Sequence, residues 1–409
     1  MKKVWFSLGL SIILAGCCHL SGDSASCTID SGTSYARETM QQYVDSGLIP
    51  GAICVYYDNG VQETSCLGYA DVEKKRKISI DDYYMQCSQT KGFCGVTVAM
   101  LVEEGKLSLD DPVSKYLPEF KELWIQESNE NGVRKLVKAK NELTVRMVMN
   151  HTGGFVFELP NYKAMGGWSR RMPLRSVAAI AASLPIAFEP GTKASYSNVG
   201  IDIGAAVVEV ITGKRWEDFL KERVLEPLGM THSTFFPSKE QLARKIEMYK
   251  VDFKNKAVHV EESPSMQRPY GDDRVFPSAG AGLWTTVRDQ LKFYKMLMNL
   301  GIGENGVRIL KEETVKSILA VSTRPKEMGG YSLGFNAPRT DSDDAWFGHG
   351  GAWMTLCSVN WHKRQLHLVA VQFLASNSKI RSLNKEAADK FFKGQSRKDT
   401  VSDYTGRME

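Results

Sequence analysis

The sequence predicts an α+β fold, in which one antiparallel sheet flanked by helices is joined to a mostly helical second lobe. Three observations predict it. A β-hairpin pattern follows the first helix, several strand patterns lie near the C-terminus, and helical patterns fill the region between them. With 409 residues, 43% of them hydrophobic, the chain can bury a large core, so we expect two lobes of one domain.

Both ends of the folded region are assigned to the sheet lobe, at about 35–90 and 326–393. A two-residue turn at Asn59-Gly60 favours a hairpin, because both residue types tolerate positive φ. The elements expected in this lobe are helix 35–46, strands 52–58 and 63–69, strands near 331–337, 345–349, 353–361 and 365–374, and a closing helix 381–393. The helical lobe is expected at about 91–325, with 133–140 as an exposed basic hairpin arm.

A serine and a lysine three residues apart stand at the predicted start of a buried helix. Ser88 and Lys91 precede the apolar run 92–102, and Gly105 follows that run as a helix C-cap. A serine in this position gains the positive end of the helix dipole, and the lysine lies one turn away. This is the core pattern of a Ser/Lys acyl-transfer site.

The same spacing also begins at two other serines, and context separates them from Ser88. Ser376 ends an apolar strand pattern, whereas Ser382 opens a charged C-terminal helix. Both positions are typical of ordinary surface serines. Ser88 and Lys91 are therefore the predicted nucleophile and base.

Two further motifs follow along the chain. Tyr196 and Asn198 lie in a turn-rich loop that leads into the apolar helix pattern 201–211, and His349-Gly350-Gly351 lies in a strand-like run near the C-terminus. Another Tyr-x-Asn begins at Tyr57, but it forms the hairpin turn and is set aside. A loop tyrosine with a helix-capping asparagine, and a glycine β-bulge, are the simpler structural explanations of the two retained motifs.

The ordered motifs Ser-x-x-Lys, Tyr-x-Asn and His-x-Gly resemble those of the serine β-lactamase and penicillin-binding-protein superfamily, specifically of class C β-lactamase-related esterases and peptidases. The resemblance covers about residues 35–393 and includes the strings 143–154, 226–230 and 277–286. It implies a β-lactamase/transpeptidase-like fold and an acyl-enzyme mechanism without a cofactor. True β-lactamases carry Lys-Thr/Ser-Gly in the third motif, whereas His349 and Gly350 stand here, so efficient β-lactam hydrolysis is not expected.

The expected chemistry begins with removal of the Ser88 proton. Lys91 can accept it only as a neutral amine, and both burial and the positive helix end lower the pKa of an ammonium group. The resemblance implies that Tyr196 shares this proton with Lys91 and passes it to the leaving group.

The remaining candidate residues are expected to bind the substrate. Asn198 would hold a substrate carbonyl or amide, and the imidazole of His349 would occupy the position of the β-lactamase lysine. Gly350 and Gly351 would allow close approach of an acyl group along an edge strand. The N–H of Ala352 would pair with that of Ser88 as an oxyanion hole.

The N-terminus has the pattern of a bacterial lipoprotein leader. Residues 1–16 combine a basic start with a short apolar segment and end in Leu14-Ala15-Gly16-Cys17, so lipid attachment is expected at Cys17. Residues 17–34 would be a polar tether, and 394–409 a polar tail. We therefore expect the chain in the bacterial cell envelope, at the outer membrane or facing the periplasm if the host is Gram-negative, and the outer membrane is favoured because Cys18 is not aspartate. A plain cleaved secretory signal is the alternative.

Charge and cysteine content exclude several other classes. Without the two leader lysines the chain has 50 basic and 47 acidic side chains, so no nucleic-acid partner is expected. Cys54 and Cys66 flank the hairpin turn and could face each other, but mostly buried free thiols are favoured. The seven histidines form no metal-binding spacing.

These observations together predict an exported, lipid-anchored serine hydrolase. A small carboxylic ester is the first substrate class, and a D-amino-acid peptide or amide is the second. The alternative, from another functional class, is a catalytically weak lipoprotein that senses acyl groups, peptidoglycan or β-lactams.

Overall fold

The computed structural model describes residues 35–47, 49–160, 172–252, 257–260, 275–375 and 379–394. Cys17, the leader, the tether and Ser376 lie outside these ranges, as does the polar tail from residue 395 onward. No helix within the described ranges is long and apolar enough to cross a membrane.

The main sheet is antiparallel and draws its strands from both ends of the chain. Its six strands have the order β10-β11-β12-β1-β2-β3, so the hairpin near the N-terminus pairs with the C-terminal strands. The strands are β1 (Gly51–Asp58), β2 (Val61–Asp71), β3 (Arg76–Lys77), β4 (Tyr84–Met85), β5 (Trp124–Glu130), β6 (Val133–Lys138), β7 (Tyr249–Asp252), β8 (Ala257–Val260), β9 (Trp284–Thr285), β10 (Phe347–Gly350), β11 (Leu356–Asn360), β12 (Gln365–Ala370) and β13 (Phe373–Ala375).

The hairpin turn forms as expected. Asn59 and Gly60 have φ of 43° and 100°, which suits a two-residue turn that follows the twist of its strands. The register pairs Cys54 with Ser65 and Ile53 with Cys66. Neighbouring residues of a strand face opposite sides of the sheet, so Cys54 and Cys66 do not face each other. The five cysteines in the described ranges are free thiols, and four of them are buried.

Helices cover both faces of the sheet and build the second lobe. The helices are α1 (Tyr35–Asp45), α2 (Thr90–Glu103), α3 (Val145–Met149), α4 (Leu174–Ala182), α5 (Asn198–Thr212), α6 (Trp216–Leu220), α7 (Lys239–Ala243), α8 (Val287–Met298), α9 (Glu312–Thr314) and α10 (Lys379–Phe392). One apolar cluster joins α2, α5 and α8 to the inner face of the sheet, and a smaller one fills the space between the outer face, α1 and α10. The predicted fold class is confirmed.

Helix α2 is apolar on all sides because it runs through the centre of the molecule. Every residue from Thr90 to Leu101 is buried. Gly105 follows the helix with a φ of 67°, in the left-handed conformation of a C-cap glycine. The basic arm at 133–140 is also a hairpin, formed by β5 and β6 with mostly exposed side chains.

Two predicted strands differ from the structure. Residues 331–337 form no strand, and only a single bridge joins Asn336 to Gly348. A strand is interrupted there because Gly334 has a φ of 78° and approaches the backbone of Lys91 too closely for any side chain. The predicted strand 365–374 is divided into β12 and β13, and β13 leaves the main sheet to pair with β7. Between them the amide of Gln372 bonds the backbone of Met85, which replaces strand pairing.

Candidate active site

The candidate nucleophile lies on a tight turn before α2. Ser88 is the central residue of a 3₁₀ turn, Cys87–Gln89, and Cys87 has a φ of 51°. Positive φ is strained for a residue other than glycine, and such strain concentrates at functional turns. Burial raises the pKa of the adjacent Cys87 thiol to about 12. Because a thiol must ionise to be an effective nucleophile, the hydroxyl of Ser88 is the candidate and not this thiol.

Lys91 is fully buried and lies against Ser88. Its Nζ is 3.1 Å from Ser88 Oγ, 2.5 Å from Asn198 Oδ1 and 2.7 Å from the carbonyl oxygen of Gly280. Burial lowers the pKa of Lys91 to about 7, against the opposing charges of Asp202 and Glu158. A large fraction of this amine is therefore neutral near pH 7 and able to accept the Ser88 proton.

Tyr196 is the second residue in contact with Ser88. Its hydroxyl hydrogen-bonds the Ser88 side chain, and burial of this hydroxyl raises the tyrosine pKa. The Lys91 ammonium lies 4.5 Å from the centre of the Tyr196 ring. The phenol therefore stays protonated at neutral pH, so it can donate its own proton to a leaving group while it receives another.

Asn198 lies beside the base. Its side chain is only 1% exposed, with Oδ1 on Lys91 and Nδ2 2.5 Å from Glu158 Oε1. Both halves of the amide contact protein groups, so Asn198 holds the base, and its part in binding a substrate carbonyl or amide stays a prediction. The helix N-cap is Ser197, whose hydroxyl accepts the N–H of Gly200.

The carbonyl that accepts from Lys91 is fixed by two further residues. The N–H of Gly280 donates to Asp202 Oδ1 over 3.1 Å. A Cβ at position 280 would lie 2.7 Å from Asn198 Cβ. Only glycine therefore allows the backbone at this position to pack against the Asn198 side chain. Gly280 belongs to the string 277–286, but its position beside Lys91 depends on a contact that spans 189 residues.

The third motif borders the same site. Nε2 of His349 lies 3.0 Å from the Tyr331 hydroxyl and 3.4 Å from that of Tyr196, and its Nδ1 lies 2.5 Å from the Gly350 carbonyl oxygen. Tyr331 was not predicted as a site residue. The residues around it form an irregular loop, and no local pattern places its hydroxyl on His349.

His151 was also not assigned a role from the sequence. Its carbonyl accepts the N–H of Ser195 and its Nδ1 accepts the N–H of Ser197, while its ring lies 4.5 Å from that of Tyr196. Burial lowers the pKa of His151 well below its usual range, which keeps Nδ1 available as an acceptor. His151 thereby fixes the loop on both sides of Tyr196. His151 lies within the string 143–154, which is part of the family resemblance and is the sequence feature that could have identified it as a site residue.

Ser88, Tyr196, His349, Gly350, Gly351 and Ala352 open into one cleft of about 430 Å³. The cleft is further lined by Phe157, Asn336, Met354, Thr355, Leu356, Val369 and Asn384. None of these described lining residues is an acid, a lysine or an arginine. The N–H of Ala352 contacts the Cys87 sulfur, a weak acceptor, so its part in an oxyanion hole stays a prediction. Within the described ranges no group of three His, Cys, Asp or Glu side chains could hold a metal ion.

Comparisons with known proteins agree with this geometry. The family model named Beta-lactamase matches residues 36–389. An uncharacterized protein of Mycobacterium tuberculosis is 29% identical over 289 residues, which cover 68% of this chain and 70% of that protein. The residues matched by the family model include all three motifs.

Two solved structures share the fold at low identity. An engineered mutant of simvastatin synthase from Aspergillus terreus superposes with a TM-score of 0.73 and 21% identity, over 89% of this chain and 97% of that one. EstCE1, a hydrolase with promiscuous acyltransferase activity, superposes with a TM-score of 0.70 and 19% identity, over 86% and 97% of the two chains. The family model covers most of the chain, so the chain belongs to the beta-lactamase family.

Proposed function

We propose that this protein hydrolyses small uncharged carboxylic esters through an acyl-enzyme formed on Ser88. The observation that carries the proposal is the contact of Ser88 Oγ with both Lys91 Nζ and the Tyr196 hydroxyl, where burial sets the pKa of the lysine near 7. The nucleophile is thus in contact with both a base and a proton donor. A protein that only binds acyl compounds needs neither group.

The reaction follows from these positions. Neutral Lys91 accepts the Ser88 proton while Oγ attacks the ester carbonyl, and the bond from the carbonyl carbon to the alcohol oxygen then breaks. The departing alcohol receives its proton from Tyr196, which is replenished from Lys91. Water repeats the sequence on the acyl-enzyme and releases the acid.

The cleft supports an ester as the first substrate class. Its described lining has no lysine or arginine to hold a substrate carboxylate, whereas an uncharged ester needs none. The likeness in fold to EstCE1, named as a hydrolase with promiscuous acyltransferase activity, is consistent with acyl chemistry on such a substrate. A D-amino-acid peptide with a free carboxylate is the second class and fits this lining less well.

Export and lipid attachment at Cys17 remain part of the proposal. They are supported by the leader sequence and by the polar segment that separates Cys17 from the first described residue. An anchored enzyme would act on substrates that reach the cell envelope.

A fluorophosphonate probe and a substrate panel test the proposal. The probe should modify Ser88, and Ser88→Ala should abolish both labelling and hydrolysis of p-nitrophenyl butyrate. Ser382→Ala is the matched control, since it changes a serine with the same Ser-x-x-Lys spacing, and should behave as the wild type. Labelling at Ser382, or stoichiometric acylation without turnover of any ester or D-Ala-D-Ala peptide, would contradict the proposal and favour a sensor.

A further inference from the structure

Besides Ser88, two groups of residues from different parts of the fold line the cleft, and each group defines one end of it. One end is formed by Tyr196 and Phe157, from loops of the helical lobe. The other end is formed by Met354, Leu356 and Val369 and lies on the side of the sheet that faces α10. The two ends therefore belong to different lobes and differ in chemical character.

The pairing register explains why the second end is apolar. Leu356 pairs with Val369 across β11 and β12, so their side chains share one face of the sheet. Their neighbours Cys357 and Leu368 belong to the cluster on the inner face. Leu356 and Val369 therefore face outward, and Val369 belongs to the cluster beneath α10.

Glycine at position 350 keeps the passage to this end open. A Cβ added to Gly350 would meet only Thr355 O at 3.5 Å and Leu356 Cδ1 at 3.9 Å, which are ordinary contacts. A Cβ at Gly351 would instead lie 2.1 Å from Thr355 Oγ1 and 2.4 Å from Gln86 O. The surrounding atoms therefore require glycine at position 351. At position 350 they would accept a side chain, so glycine there leaves space that a substrate can occupy.

Asn384, which α10 contributes to the lining of the cleft, is hydrogen-bonded within the protein. Asn384 Oδ1 accepts from the Tyr56 hydroxyl over 3.2 Å, and its Nδ2 lies 3.2 Å from Nδ1 of His367. Both halves of the amide are occupied by protein partners. A chain that ends here is therefore best apolar along its length.

The proton donor fixes which part of the substrate takes which end. Tyr196 supplies the proton that the leaving group takes up, so the alcohol portion of the ester lies toward Tyr196 and Phe157. The acyl portion must then extend past Gly350. We propose that Met354, Leu356 and Val369 form an acyl-chain pocket and that the preferred substrates are esters of uncharged aliphatic acids longer than acetate; this inference rests on the proposed function.

A chain-length series tests the pocket. Each methylene buried in it should raise kcat/KM for p-nitrophenyl esters about fourfold from acetate toward octanoate, until the pocket is full. Leu356→Trp fills the passage and should lower the octanoate-to-acetate ratio more than tenfold. Leu136→Trp is the matched control, since Leu136 is exposed on the β5–β6 arm, and should keep the ratio of the wild type.

The alcohol portion gives the opposite test. Phe157→Ala should change the preference among acetate esters of short and long alcohols and leave the acyl-length preference in place. If Phe157→Ala and not Leu356→Trp abolishes the octanoate preference, the acyl chain occupies the other end and the assignment is overturned.

A binding measurement separates this inference from the proposed function. Methylboronic and octylboronic acids accept the electron pair of Ser88 Oγ at boron, so their affinities by calorimetry do not depend on ester turnover. The wild type should bind the octyl compound at least tenfold more tightly than the methyl compound, and Leu356→Trp should lose this preference. If the wild type and Leu356→Trp show the same ratio of octyl to methyl affinity, the acyl-chain pocket is refuted. Failure of the wild type to turn over any ester would refute only the proposed function.

Discussion

The pKa of Lys91 is set by a balance that a single isosteric substitution can shift. Burial lowers it, and the carboxylate of Glu158 opposes burial through the amide of Asn198. Contacts of 2.5 Å on each side of that amide place the two charges about 7 Å apart, where Coulomb attraction at an effective dielectric constant of about 20 is roughly 2 kcal/mol. Glu158 is partly exposed, so solvent weakens this attraction. We expect it to raise the pKa of Lys91 by about one unit.

Glu158→Gln keeps the hydrogen bond to Asn198 and removes the charge. The ammonium form of Lys91 then loses a stabilising partner, so its pKa falls further below the ordinary value. Because the neutral amine is the active form, the acidic limb of the kcat/KM profile should move from near pH 7 to about pH 6. Glu130→Gln, at an exposed position of the β5–β6 arm, is the control and should leave the profile unchanged.

The measurement is a pH profile of kcat/KM with p-nitrophenyl butyrate for the wild type and both variants. An acidic limb that stays in place in Glu158→Gln would show that this carboxylate does not act on the base. A shift toward higher pH would refute the identification of Lys91 as the base, because removal of a negative charge cannot raise the pKa of an ammonium group.

Two predictions concern the anchor and the specificity. Wild-type protein expressed in a bacterium should incorporate labelled palmitate and partition with membranes, and Cys17→Ser should do neither; a soluble wild-type protein that begins at another residue would contradict the lipid anchor. The wild type should favour p-nitrophenyl butyrate over nitrocefin in kcat/KM, and the double variant His349→Lys, Gly350→Thr should shift the ratio toward nitrocefin, since each restored contact to a carboxylate contributes about 1.5 to 3 kcal/mol. A wild type that prefers nitrocefin would show that another residue binds the carboxylate.

Local patterns carried most of the correct fold prediction. The Asn59-Gly60 turn determined the register of β1 and β2, and the apolar run after Lys91 identified a buried helix. The placement of Lys91 beside Ser88 is also local, because residues three apart in a helix share one face. Such features depend on backbone geometry over a few residues, so the sequence alone determines them.

Non-local contacts could not be predicted in the same way. Gly334 packs against the backbone of Lys91 and interrupts a run that otherwise has strand character. Glu158 and Gly280 reach the base through contacts that span 40 and 189 residues. Nothing in the spacing of Tyr196 and Asn198 shows that the asparagine faces the base and not the cleft, since that depends on how α5 packs against α2.

The third motif shows why the identity of one residue changes the chemistry of the whole cleft. A lysine in an edge strand extends a charge toward the substrate, whereas the imidazole of His349 is held by its neighbours. Since a carbonyl oxygen can only accept, Nδ1 donates to the carbonyl of Gly350, and Nε2 lies within hydrogen-bond distance of the hydroxyls of Tyr331 and Tyr196. His349 thus contacts the proton donor of the site, and the described lining residues include no lysine or arginine to attract an anionic substrate. The same substitution that weakens recognition of a β-lactam carboxylate supports Tyr196 in its position beside Ser88.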